Sequence, residues 1–183
     1  MEKTLLVENP EILARFRAGD TEAFAGIIRQ YQTAIVGYLY RLTGDGELAR
    51  DLAQDTFLQA YQSLAGTTLD LPLKTWLYRI ATNNALRHHR RKAILSFISW
   101  DDFRKPETSV DLAQQASEAA AVHEALLKVP EKLRACLVLH LVDGFKHREI
   151  AKMLGISEDA VRMRVARGSE VFRQQYRTPG GNE

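Results

Sequence analysis

The chain has 183 residues, 45% of them apolar, a formal charge of +2 and one cysteine. That is enough for one domain or two small ones with real cores, and it excludes a disulfide-stapled scaffold because Cys136 has no partner within the chain. No apolar run reaches the roughly 20 residues of a membrane-crossing helix, and the acid-bearing start from Met1 to Pro10 lacks the apolar core of a signal peptide, which predicts a cytoplasmic protein without membrane insertion.

Cys136, inside the apolar run Leu133 to Val142, reads as a buried structural thiol in a reducing compartment. Charge is divided along the chain: +2 over residues 1–96, −4 over 97–125 and +4 over 126–183. Two basic ends around an acidic middle suit contact with nucleic acid at two places, and equally a plain solvated surface.

Ile12, Leu13 and Phe16 form a first short helix stopped by Gly19, after which Asp20 or Thr21 can cap a long one. Its apolar residues Phe24, Ile27, Ile28, Tyr31, Ile35, Tyr38, Leu39 and Leu42 hold helical spacing until Gly44-Asp45-Gly46. So short a break predicts that the next helix, Glu47 to Leu64, folds back on this one. Its inner face is Ala49, Leu52, Ala53, Thr56, Phe57, Ala60 and Tyr61. Asp51, Gln54, Asp55 and Leu58 make an outer patch at i, i+3, i+4, i+7, two carboxylates and an amide around a leucine. That pattern fits either a docked partner helix or an ordinary solvated face.

Ala65 to Pro72 reads as a loop, and Pro72 suits the start of a helix carrying Leu73, Trp76, Leu77 and Ile80 inward. Thr75, Tyr78, Arg79, Thr82, Asn83, Leu86 and Arg87 occupy its other faces, and from Arg79 to Lys92 there are five basic residues and no acid. Cations interleaved with aromatic and amide groups can hold a phosphate backbone while contacting unpaired bases. Trp76 reads mainly as a core anchor. His88 and His89, adjacent on a helix, point apart and predict no metal site. The apolar run Ile94 to Trp100 and the aperiodic stretch Asp101 to Val110 read as a linker between halves that move independently, with Phe97, Ile98 and Trp100 able to pack back on one of them.

Helical character resumes near Ser117, breaks at Val129-Pro130-Glu131, and continues with Leu133, Leu137, Val138, Leu141 and Val142 as the lining of the next helix up to Gly144. From His147 to Arg167 two amphipathic segments then meet at one glycine, the layout of a helix-turn-helix. Ile150, Ala151 and Leu154 form the first stripe and Val161 and Val165 the second. Gly155 suits a left-handed turn, Ile156 plugs the corner, and Ser157 caps the second helix, with Glu158 and Asp159 in its positive first turn. This turns Asp159, Arg162, Met163 and Ala166 outward with Arg164 and Arg167 on the flanks, a face suited to a major groove. The helix runs on through Val171 and Phe172 towards Tyr176, before a frayed tail, Thr178 to Asn182.

The predicted fold is therefore all-α: two small helical domains, 1–96 and 117–183, joined by a flexible linker, 97–116, with the helix-turn-helix in the second. No Gly-rich phosphate loop, metal-spaced cluster or nucleophile motif is present, so the sequence predicts no enzyme, no catalytic residues, no metal and no cofactor.

With these parts in order, the chain resembles a bacterial sigma factor of the small extracytoplasmic-function (ECF) type, in the sigma-70 family. The resemblance spans Thr21–Lys92 and Glu124–Gln174. It is carried in the first block by Leu42-Thr43-Gly44-Asp45, by the run Ala49 to Phe57, and by the run Trp76 to Asn83. In the second it is carried by Leu126 to Pro130, Gly144, Glu149-Ile150-Ala151, Leu154-Gly155-Ile156, Val161, Arg164-Val165 and Arg167. It implies core RNA polymerase and promoter DNA, duplex and melted, as partners, with control by an anti-sigma factor. Asp51, Gln54, Asp55 and Leu58 become the implied polymerase contact. The helix from Leu73 to Lys92 and the loop before it correspond to the part that opens the minus-ten element and holds a flipped base, with Trp76, Tyr78, Arg79, Asn83, Arg87, Arg90 and Arg91 as its candidate DNA-binding residues. Ser157, Glu158, Asp159, Arg162, Met163, Arg164 and Arg167 become the candidate readers of the minus-thirty-five duplex. The chain departs from the family's usual residues at Arg50, at Lys146-His147, and at Met163 and Ala166. A stand-alone helix-turn-helix repressor or activator is the rival reading, and it leaves the basic aromatic helix near Trp76 without a role.

Overall fold

The computed structural model describes residues 10–64, 71–98 and 115–176, and every regular element among them is a helix: α1 (Pro10–Arg17), α2 (Thr21–Thr43), α3 (Gly46–Leu64), α4 (Leu73–Ile98), α5 (Gln115–Leu127), α6 (Glu131–Leu141), α7 (His147–Leu154) and α8 (Glu158–Gln175). The readings made above for the opening residues, the loop 65–70, Trp100 and residues 101–110, and the tail 178–182 lie outside the described residues. Helix α4 continues to Ile98 and α5 begins at Gln115, so each runs two residues into the predicted linker.

Helices α2, α3 and α4 form the first bundle, with α1 laid across it. Asp20 caps α2, its carboxylate accepting from the backbone N–H of Glu22 and Ala23 at 3.0 and 3.3 Å. Phe24, Ile27, Tyr31, Ile35, Tyr38 and Leu42 recur at steps of three and four, and all are buried. Gly44 then stops α2 in a left-handed conformation (φ 76°), and the Asp45 carboxylate accepts from Glu47 and Leu48 N–H at 2.9 and 3.0 Å, starting α3. The two-residue break turns α3 back against α2, as predicted. Buried polar groups tie α4 in: the Tyr38 and Thr82 hydroxyls lie 2.7 Å apart, and Asn84 donates to the Thr56 hydroxyl at 3.3 Å.

In the second half α6 is central. Arg134 to Leu139 are six consecutive buried residues, more than one stripe, because α8 covers one side of α6 and helices of the first half cover the other. Helix α8 crosses at Gly168, where a Cβ would stand 3.3 Å from the Leu133 carbonyl and 3.5 Å from the Leu137 Cβ. Two expectations fail here. Leu141 and Val142 are 64% and 53% exposed instead of lining α6, since the chain turns away and Phe145 fills the inner position. In α7 the buried residues are Ile150, Ala151 and Met153, while Leu154 is only half-buried.

In this arrangement the two halves joined by the linker are in contact. Helices α2 and α4 pack on α5, α6 and α7. Gly44 abuts the Leu127 side chain so closely that a Cβ would lie 2.5 Å from it. The Tyr40 ring stacks on His123 (centroids 4.4 Å, 7° between planes), and His89 Nδ1 lies 3.0 Å from the Glu131 carboxylate. The Arg134 guanidinium reaches across to the Leu42 carbonyl at 2.6 Å. What the sequence presents as exposed faces of two separate domains is apolar enough on each side to make one seam.

Candidate polymerase and nucleic-acid interfaces

Three surfaces carry the candidate residues. On α3 the structure brings Asp51, Gln54, Asp55 and Leu58 together on one exposed side, with Leu58 56% exposed. Beside them an open groove of about 640 Å³ runs between α2 and α3, floored by Phe24, Ile28, Val36 and Phe57 and edged by Arg50, Gln54 and Leu58. Arg50 thus sits on the rim of the apolar groove rather than away from it. An apolar trough with an exposed leucine and an amide on its rim, on the helix that also exposes Asp51 and Asp55, suits an amphipathic partner helix.

On α4 the candidates divide. Asn83, Arg87, Arg90 and Arg91 are exposed, and Arg79 is half-buried. Trp76 and Tyr78 are not available to DNA in this arrangement, being 4% and 1% exposed. Trp76 is a core residue because its position faces α2 and α3. Tyr78 is covered by the second half, donating its hydroxyl to Asp143 at 3.0 Å and meeting Phe145 edge to face at 4.9 Å. Thr75 and Thr82, predicted on outward faces, are buried as well. Burial together with the Asp143 carboxylate pushes the Tyr78 hydroxyl far above its usual value, so it stays a neutral donor.

In the helix-turn-helix the local chemistry matches the sequence reading. Gly155 is left-handed (φ 64°), the Ile156 N–H donates to the Ala151 carbonyl at 3.1 Å, and the Ser157 hydroxyl accepts from Ala160 N–H at 3.1 Å. With Lys146 at the N-cap of α7, one half of a capping box is formed: its backbone N–H donates to the Glu149 carboxylate at 2.7 Å. Val161 is buried and Val165 half-buried, while Glu158, Asp159, Arg162, Met163 and Arg167 project outward. Arg162 is already engaged, donating to Asp159 and Glu158, each at 2.8 Å. Arg164 differs from the predicted phosphate flank: it is half-buried and turned towards Cys136, whose thiol burial pushes up and Arg164 partly restores.

Two family models match the chain, "Sigma-70 region 2" over residues 27–94 and "Sigma-70, region 4" over residues 119–170. The RNA polymerase sigma-H factor of Pseudomonas aeruginosa is 31% identical over 177 residues, covering 90% of this chain and 92% of that protein. The ECF RNA polymerase sigma factor SigM of Mycobacterium tuberculosis is 32% identical over 160 residues, with 87% and 80% covered. The chain belongs to the ECF sigma factors of the sigma-70 family. As such it is a promoter-recognising transcription initiation factor.

Among solved structures the sigma factor shares its fold with CnrH, bound to the cytosolic domain of CnrY (TM-score 0.68, 24% identity, 89% and 93% covered), and with RpoE of Bartonella quintana, bound to the anti-sigma factor NepR (0.70, 20%, 87% and 99%). No described helix of the sigma factor is long and apolar enough to cross a membrane.

Sequence reasoning missed two residues at the seam. Arg134 is 6% exposed and donates to three carbonyls, Leu42 at 2.6 Å, Leu127 at 2.8 Å and Val129 at 3.1 Å. These lie at the C-terminal ends of α2 and α5, where helix carbonyls lack intrahelical donors and the dipole is negative, so one buried cation satisfies both. Asp143 is the other; burial raises its carboxyl above the usual range, against the opposing pull of Tyr78, Arg41 and Lys74. The run Leu133 to Leu139, apolar throughout except for Arg134, was the available signal, since a helix covered on one side only shows polar residues on every turn.

Proposed function

We propose that the first half docks the sigma factor on core RNA polymerase through Asp51, Gln54, Asp55 and Leu58 and holds unpaired minus-ten bases on α4, while the second half reads the minus-thirty-five duplex with α8. The observation that supports this is the segregation of exposed chemistry: two carboxylates, an amide and a leucine on one side of α3, against Asn83, Arg87, Arg90 and Arg91 exposed on α4. Carboxylates beside an exposed leucine on α3 repel a phosphate backbone and suit a protein partner, whereas exposed arginines attract a phosphate backbone. The sigma factor contributes binding energy for unstacking, a few kcal/mol per base, and no bond chemistry of its own. It acts in the cytoplasm with polymerase, and an anti-sigma factor, as in the RpoE–NepR complex, is its proposed inhibitor.

The test separates the faces. Asp51→Arg and Gln54→Ala are expected to lower affinity for core polymerase with unchanged circular dichroism, and normal binding by both removes the docking face. Asn83→Ala is expected to leave closed complexes intact and slow opening, read by permanganate modification of unpaired thymines. Unchanged footprints remove the melting role from α4.

A further inference from the structure

The outward side of α8 does not begin as a basic surface. Its first turn exposes Glu158 and Asp159, and Arg162 is tied to both: Nη1 donates to the Asp159 carboxylate and Nη2 to the Glu158 carboxylate, each at 2.8 Å. One guanidinium between two carboxylates leaves the turn with a net negative charge. A phosphate drawn to Arg162 therefore meets both carboxylates, and repulsion opposes attraction over the same few ångströms. A guanine edge meets no such opposition, because its O6 and N7 are neutral acceptors spaced for two N–H groups of one guanidinium.

The three side chains are not equally placed. Asp159 is 88% exposed, Arg162 57% and Glu158 44%. The more exposed carboxylate is the easier one to give up in exchange for a base, and the more covered one is the better holder. Exposed ion pairs hold weakly, so the exchange needs no movement elsewhere in the fold. On a G·C pair it balances: Arg162 donates to guanine N7 and O6, and the Asp159 carboxylate it leaves accepts from the cytosine N4 amino group. An A·T pair sets an amino group between its two acceptors, which confronts the guanidinium with another donor.

We propose that Glu158 and Asp159 hold Arg162 in a clamp that disfavours phosphate and yields to a G·C pair, with Glu158 the positioning residue and Asp159 the carboxylate released to cytosine. The proposal rests on the reading of α8 as the helix that enters the duplex. Part of its selectivity comes from the contacts it penalises rather than from those it makes.

The test uses the full chain assembled with core polymerase, on duplexes randomised across the minus-thirty-five element and on one unselected mixed-sequence duplex of the same length. Wild type is expected to select a G·C pair at one position, and Arg162→Ala to lose that selection. Glu158→Gln keeps the side-chain length and removes the charge. It is expected to bind the unselected duplex about fivefold more tightly at low salt, the scale of two exposed ion pairs. Its plot of log affinity against log salt is expected to be steeper by about one, because the freed guanidinium neutralises one more phosphate. Glu158→Asp is expected to stay near wild type. In an Arg162→Ala background Glu158→Gln is expected to leave the slope unaltered, since no cation remains to be freed. Equal steepening in both backgrounds means plain repulsion by Glu158 and overturns the clamp. Weaker binding to every duplex at an unchanged slope means that Glu158 only supports the start of α8, and overturns it too. Asp159→Ala is expected to reduce the preference for G·C over A·T about tenfold, and an unchanged preference overturns its release to cytosine. Retention of every base preference by Arg162→Ala refutes the reading of α8 instead, because the clamp is judged by the salt slope alone.

Discussion

Arg134→Met tests the seam where its chemistry is most concentrated. The guanidinium donates at 2.6, 2.8 and 3.1 Å to the carbonyls of Leu42, Leu127 and Val129. Methionine fills much of the volume and removes a buried charge, but it strands three carbonyls, each at a cost of about 1–3 kcal/mol. Allowing for relief of the cation's desolvation, the net loss is about 3–5 kcal/mol, a large share of the roughly 5–15 kcal/mol that holds a domain folded. Two of the three acceptors lie in the second half, so that half carries most of the loss. Urea unfolding followed by circular dichroism and, in a Trp100→Phe background, by Trp76 fluorescence separates the two. The dichroism midpoint is expected to fall well below wild type while the Trp76 midpoint moves less. A dichroism shift within the roughly 0.5 kcal/mol scatter of surface substitutions refutes the assignment of Arg134 as the shared cap. Arg134→Lys, which keeps the charge but cannot fork to three carbonyls, is expected to lie between, nearer to methionine.

Gly44→Ala and Gly144→Ala impose nearly the same backbone strain (φ 76° and 75°), but only the first drives a Cβ into Leu127. Both lose about 1–2 kcal/mol to the left-handed conformation, and the first is expected to lose more in thermal melts; equal losses deny a tight contact at the seam. Closure of the two halves on each other is expected to weaken in acid. Burial holds His89 and His123 below the usual 6.5, so their contribution to closure is full above that value and is lost as pH falls through and below it. His89 faces Glu131, which opposes the shift, with Arg134 and His88, and His123 faces Arg134, Arg41 and the Tyr40 ring. Asp143, raised by burial, works in the other sense, favouring closure as pH falls into the acid range. The radius of gyration from X-ray scattering is therefore expected to grow between pH of about 7.5 and 5.5, and not to grow in a His89→Gln/His123→Gln chain; growth in both places the cause elsewhere. Arg162→Ala is expected to relax base choice by about 1–3 kcal/mol and Arg167→Ala to weaken all promoters alike, measured by competition binding with polymerase. An equal loss from both on every sequence ends that division of roles.

Local chemistry was readable in the sequence wherever one residue decides one turn. Gly44-Asp45 and Gly155-Ile156-Ser157 behave as their residue types require, because a left-handed glycine and a carboxylate or hydroxyl cap act within four residues of themselves. Faces that depend on distant partners were not readable. Arg134 sits in an apolar run and finds an acceptor 92 residues away, and no periodicity encodes that. Tyr78 satisfied the pattern of an exposed aromatic between cations, yet its hydroxyl partner is Asp143, 65 residues on. The α3 patch was legible as a patch because its members share one helix. The groove beside it needed α2, which supplies Phe24, Ile28 and Val36 from an earlier segment.

The absence of a side chain at residue 168 reaches further than packing. There the backbone of α8 rests almost directly on α6, and the outward arginines belong to the same rigid rod. A single methyl group added at that point would stand 3.3 Å from a carbonyl oxygen and at ordinary contact distance from two β-carbons, so the rod has to shift by a few tenths of an ångström at its crossing point. Mutations that retarget this sigma factor can therefore arise on the side of α8 turned away from DNA, and a search confined to its outward surface will overlook them.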